Sequence, residues 1–144
     1  MGARGDAPDR QRLAGRNDEL ETVLGVAGIG FCRVDRNHQF AQANSHFKTL
    51  FGLAPDAALT WSELEAALAP ADRAKPASAL RAALEHGEGT DTVVKTQWAG
   101  DTARWVSLRA RALTDVSGGR PEVLFVARDS TTEERAFAAL SEAN

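Results

Sequence analysis

The chain has a single cysteine, Cys32. That excludes an internal disulfide framework and a zinc site built from several cysteines, and it fits a reducing compartment. Long apolar runs are missing too. Nothing approaches the roughly 18 residues that suggest a spanning helix, and the N-terminus lacks the apolar stretch of a signal peptide. The chain is therefore expected to be cytoplasmic and soluble, with no membrane contact. Excess charge of one sign is absent as well: 17 basic and 20 acidic side chains leave a net charge of −3. That is too mild to point to nucleic acid or a charged membrane surface. No glycine-rich phosphate loop is present, because "GVAGIGF" leads into a strand and not a helix. The acidic residues fall mostly on turns and helix starts, and no spacing suggests a catalytic pair. No internal repeat or low-complexity segment is found.

What is present reads as one globular domain. Its 144 residues, 43% hydrophobic and 26% charged, can build a single core. Residues 1–17 are expected to be a flexible arm or linker, with scattered Gly and Pro and four arginines in the first 16 residues. The strong bias of arginine over lysine hints at a GC-rich bacterial gene.

A helix is expected from Asp18, where Asp18 and Glu21 form a capping pair. Leu13, Leu20, Leu24 and Ala27 give this segment an apolar stripe, which packs on its own domain or forms a self-association seam. Gly28 and Gly30 end the helix. "GFCRVD" and "HQFAQA" then make a hairpin around Asp35-Arg36-Asn37. Asn44 can cap a short helix that Gly52 stops. Thr60 and Glu63 open another helix, running to Leu68, and Pro76 suits the first turn of a longer one that Gly87 terminates. The last third is strands: "DTVVKTQW", "ARWVSLRARAL" and "VLFVAR". In the second, Val106, Leu108, Ala110 and Ala112 alternate with Ser107, Arg109 and Arg111, so one face is buried and the other is wet or partnered. The continuous apolar run of the third suits a central strand. The expected fold class is α+β: a five-stranded antiparallel sheet with short helices on one face and flanking helices at both termini.

Four stretches, in order and at matching spacing, resemble a PAS domain: "FCRVDRNHQFAQANSHFKTLFG", "LAPADRAKPASALRAAL", "AGDTARWVSLRARAL" and "RDSTTEER". Ala69 stands where many relatives carry histidine. The resemblance covers about Asp18 to Leu140. It implies a sensory domain over residues 18–129 and a connector helix over 130–144. It further implies a regulatory module of a signalling protein, with no catalysis of its own. Such modules dimerise and sit upstream of a histidine kinase, a cyclic-dinucleotide enzyme or a transcription regulator.

A small-molecule ligand in such a fold lies between the sheet and its helices. The expected lining is Cys32, Val34, Phe47, Phe51, Leu80, Leu84, Val94, Trp98, Val106, Leu108 and Val126. The alternative, that these residues simply fill the core, is favoured, because few polar groups stand among them. The cofactor is unknown from the sequence: none is the expectation, and a non-covalent flavin stays open. The covalent flavin photosensors of the family need an asparagine-cysteine-arginine-phenylalanine run, which this sequence lacks. Cys32 is expected to be a buried small hydrophobe. Some relatives ligate haem through a histidine near the long helix, which brings up His86, although a place beside Gly87 equally suits a surface cation.

At the end of the domain, Asp129 closes a strand, and Ser130–Glu133 and Thr131–Glu134 offer two capping registers. The resemblance favours Thr131 as the cap. Asp129, Thr131 and Glu134 are accordingly expected to transmit the signal. Leu13, Leu20, Val23, Leu24, Trp105, Arg109 and Arg111 are expected to contact a second subunit or another protein. A ligand-free docking module that recruits a partner through the exposed sheet face is the competing reading. A haem or redox sensor is the third.

Overall fold

Period-two patterning decides the sheet. In β4, Trp105–Leu113, the residues Val106, Leu108 and Ala110 are buried on one face, while Arg109 and Arg111 point to solvent on the other. β1, Ile29–Asp35, buries Cys32 and Val34 in the same way. A computed structural model describes residue 19 and residues 22–87, 91–97, 104–113 and 121–143. The expected positions Leu13, Asp18, Leu20, Glu21 and Trp98 lie outside these residues.

The remaining strands are β2, Phe40–Ala43, β3, Thr92–Lys95, and β5, Glu122–Asp129. The five form one antiparallel sheet in the order β2-β1-β5-β4-β3. The continuous apolar run therefore occupies the centre, as its composition requires. The helices are α1 (residues 22–26), α2, Ser45–Leu50, α3, Trp61–Ala66, α4, Lys75–His86, and α5, Thr131–Ala143, with a 3-10 turn at Pro70–Asp72. This is the element order and fold class read from the sequence. Among the described residues, no helix is long and apolar enough to cross a membrane.

The helix ends behave as their residues dictate. Gly87 stops α4 with φ of 85°, and Gly52 follows α2 with φ of 75°, a region that favours glycine. The Thr60 hydroxyl accepts from the Glu63 N–H at 3.2 Å and donates to the Glu63 carboxylate at 3.0 Å. α3 ends at Ala66, two residues before the expected Leu68, because Leu68 bridges Thr96 beside the sheet edge.

Asn44 does more than cap. It is 1% exposed, and its Oδ1 accepts from both Phe47 N–H (3.0 Å) and Phe31 N–H (2.9 Å). Its Nδ2 donates to the Ile29 carbonyl at 3.2 Å. One side chain thus starts α2 and binds it to β1. The fit there is close: a Cβ on Gly30 would meet the Phe47 backbone at 2.6 Å, so only glycine lets α2 approach β1 this way. Phe47, Leu50, Phe51, Trp61, Leu64, Leu80 and Ala83 from α2–α4 then close over the inward strand residues Cys32, Val34, Val106, Leu108 and Phe125. Each large side chain so buried stabilises the fold by about 1.5–3 kcal/mol before entropy is counted.

Candidate functional site

The inner face of the sheet holds most of the expected lining residues, packed against one another. Cys32, Val34, Phe47, Phe51, Leu80, Val94, Val106 and Leu108 are each at most 2% exposed and belong to one apolar cluster, against which Leu84 packs half-buried. Val126 does not belong there. Along β5 it is Val123, Phe125 and Ala127 that point inward, whereas Val126 is half-buried on the opposite face, facing Phe31 and Arg109 across the ladder. A continuous apolar run carries no alternation of its own. The parity could have been taken from Arg128, whose charge places 128, 126 and 124 on the outer side. Sequence reading also missed Trp61, Leu64 and Leu68 as part of this cluster.

Polar chemistry on the inner face is limited among the described residues. Asn44 is committed to backbone, and the Thr96 hydroxyl donates to the Arg104 carbonyl at 3.1 Å. Burial, only partly offset by a hydrogen bond with the Phe125 backbone, pushes the Cys32 thiol far above the usual range, so the residue is a small hydrophobe and not a thiolate. His86 has a side chain 74% exposed beside Glu85, a surface position and not an interior one. No group of three or more His, Cys, Asp or Glu among the described residues could hold a metal ion.

Among the surface clefts of the described residues, two are bordered by arginine side chains. One, of about 520 Å³, lies between α4 and the β1–β2 turn and is bordered by Leu80 and Leu84, with Arg36, His38 and Arg81 at its rim. His38 adopts φ of 65° and stacks on Trp61, ring centroids 4.4 Å apart. The other, of about 510 Å³, lies where α1 and α2 meet the ends of β4 and β5; it is bordered by His46, Arg104, Arg128 and Asp129.

That second cleft borders the root of α5, where several polar groups are joined by hydrogen bonds. Asp129 Oδ1 accepts from the Thr131 N–H at 2.8 Å, and Oδ2 accepts from Arg104 Nη1 at 3.1 Å. Thr131 Oγ1 accepts from the Trp105 N–H at 3.0 Å, and the Trp105 carbonyl accepts from the Ser130 N–H at 2.8 Å. Burial alone would raise the Asp129 carboxyl. Hydrogen bonds from Thr131 and Arg104, with the attraction of the Arg104 charge, outweigh it and hold the group below its ordinary value.

The expected cap is corrected by this geometry. The Glu134 N–H bonds to the Ser130 carbonyl at 2.9 Å, so Ser130 stands at the cap position and Thr131 is the first helical residue. The buried Ser130 hydroxyl has no partner among the described residues. The carboxylate of Asp129, one residue earlier, satisfies the free N–H, while the Thr131 hydroxyl reaches across to β4. Glu133 and Glu134 lie in the first turn, where their charge favours the helix start.

The outer face carries the remaining expected residues. Trp105, Arg109 and Arg111 do share it. Lys95 Nζ lies 5.3 Å from the Trp105 ring, and Arg109 forms a two-pronged pair with Asp91 at 2.9 and 3.0 Å. Half-buried Phe31, Leu124 and Val126 complete the face. Exposed apolar side chains concentrate instead on the terminal helices: Val23 (62%) and Val26 (86%) on α1, Phe137 (69%) and Leu140 (67%) on α5. Leu24 is half-buried.

Comparison with known proteins gives a consistent picture. A family model described as "PAS fold" matches residues 25–135. No curated protein matches the sequence. Among solved structures, a sensory box histidine kinase/response regulator from Burkholderia thailandensis superposes with a TM-score of 0.64 at 23% identity, covering 86% of this chain and 93% of that one. The N-terminal domain of a diguanylate cyclase with a PAS/PAC sensor from Marinobacter aquaeolei gives 0.54 at 13% identity, covering 74% and 98%. A light-oxygen-voltage domain, from work on its mechanism with a flavin analogue, gives 0.54 at 27% identity, covering 87% and 95%.

Proposed function

Because the chain belongs to the PAS fold family, we propose that it is a sensory and dimerisation module that passes a signal through its terminal helices to an effector, such as a histidine kinase or a cyclic-dinucleotide enzyme. The module does no chemistry of its own; any enzyme activity resides in the effector. The observation that carries this reading is the root of α5: the central strand runs directly into a helix whose first turn is tied to β4 through Asp129, Thr131 and Arg104. A change in the sheet is thereby felt at the start of α5. The exposed Phe137 and Leu140 of α5, with Val23 and Val26 of α1, support a second copy of the chain as the partner.

Sedimentation of the chain with and without residues 1–27, and of a Phe137→Glu/Leu140→Glu variant, tests the dimer. Loss of the dimer in either altered form is expected. A monomer in every form, the unaltered chain included, removes the claim.

A second reading, recruitment of another protein through the outer sheet face, is favoured by one observation. Trp105, Arg109 and Arg111 share that face with Phe31 and Val126. Arg109→Glu/Arg111→Glu should then abolish partner capture with folding intact. Capture that survives the change eliminates this surface.

A further inference from the structure

The cleft beside Asp129 has a charge balance that the relay does not require. Three basic side chains border it, Arg104, Arg128 and His46, against a single carboxylate. That carboxylate, Asp129, is already engaged by Arg104 and the Thr131 N–H. Arg128 is exposed at the end of β5, and its guanidinium has no acidic partner among the described residues. Leu50 and Ala27 add apolar surface to the lining, beside Gly28 and Thr49.

We propose that this cleft binds a small organic phosphate monoester, its phosphate held by Arg128, Arg104 and His46 and its organic body against Leu50 and Ala27. Guanidinium groups match phosphate oxygens in a two-pronged geometry, and a dianion with three acceptor oxygens suits a cleft bordered by three donors better than a carboxylate does. The volume of about 510 Å³ exceeds what an inorganic ion would fill, and the apolar surface gives the surplus a use. The bound phosphate competes with Asp129 for Arg104 and so acts on the root of α5. Only this consequence rests on the function proposed above; binding itself does not.

The probe is phenyl phosphate, titrated into the 144-residue chain at constant ionic strength and followed by calorimetry and amide chemical shifts, with inorganic phosphate and benzoate as comparisons. Saturable binding of phenyl phosphate is expected, with shifts at His46, Thr49 and Thr131. Arg128→Gln should weaken it roughly tenfold or more, as loss of a charged hydrogen bond predicts. Arg81→Gln, at the other cleft, should leave it unchanged. Both arginines are exposed, so both variants should fold. No saturation, equal affinity in Arg128→Gln, or binding of benzoate or inorganic phosphate as tight as the monoester overturns the proposal. Saturation without change in hydrogen exchange across α5 supports the site and counts against the relay alone.

Discussion

Replacing Asp129 with alanine removes two things from the root of α5: the acceptor for the Thr131 N–H and the partner of Arg104. Loss of a capping acceptor costs about 1 kcal/mol. The ion pair, with side chains 43% and 36% exposed, adds about 0.2–1 kcal/mol after solvent screening. The sum, about 1–2 kcal/mol, is small for a whole domain but large for α5. Among the described side chains of that 13-residue helix Thr131 alone is buried, and an isolated helix of this length is marginal in water. Opening of α5 should therefore become roughly five- to thirtyfold more frequent, while the core, which loses no apolar contact, keeps its melting temperature within about 4 °C. Hydrogen exchange resolved by residue separates the two effects. Amides of α5 should exchange faster, and those of β1 and β5 should not. Asp129→Asn, which keeps an acceptor for the Thr131 N–H, should show a smaller change. Unchanged exchange across α5 would refute the reasoning, as would equal loosening of β1 and β5.

Asn44→Ala strands the Phe31 and Phe47 N–H groups in the interior; a loss of about 2–4 kcal/mol is expected, read from the urea midpoint at unchanged slope. The Asp129 carboxyl is held below its ordinary value of 3.8, so its contribution is fully present above that value and is lost as pH falls through the lower folded-state one. Protection of the α5 amides should accordingly decline only below about pH 4, and Asp129→Asn should abolish that acid step. Cys32, with its thiol pushed upward by burial, should resist a thiol-directed disulfide reagent in the native protein and react only at the rate of unfolding. Rapid labelling under native conditions would contradict its place in the core.

Patterning along the chain was enough to read the strands, because alternation and turn residues are local signals. β4 is the clearest case: its buried and solvent faces followed from Val106, Leu108 and Ala110 against Arg109 and Arg111 alone. β5 was readable as central but not in its parity, since a strand apolar on both faces does not announce which face is which. Asn44 was legible as a cap, whereas its bond to Phe31 joins residues thirteen apart and leaves no spacing to find. The junction shows the same limit more sharply. Two capping registers were visible in "STTEE", and the helix takes the one that begins at Ser130, yet without its hydroxyl, because Arg104 and Trp105 engage Asp129 and Thr131 from 25 and 26 residues away. A backbone N–H at the start of β4 needs an acceptor, Thr131 supplies it, and Asp129 is left to satisfy the helix.

That division of labour limits what α5 can report. Its root is tied by the Asp129 bonds to Thr131 and Arg104, by Thr131 to Trp105, and by the Ser130 N–H to the Trp105 carbonyl. At about 1 kcal/mol each these are together worth a few kcal/mol. Turning a two-state helix fully from one arrangement to the other takes about 5.5 kcal/mol of differential free energy. A signal that only frees Arg104 from Asp129 falls well short of that and would give a graded response. The remainder must come from surface that changes its environment when α5 moves. Phe137 and Leu140, both largely exposed, are the side chains on that helix with enough apolar area to supply it, at about 1.5–3 kcal/mol each on burial. A sharp switch therefore requires both ends of α5: polar bonds that release at the root, and an apolar stripe that finds a partner beyond it.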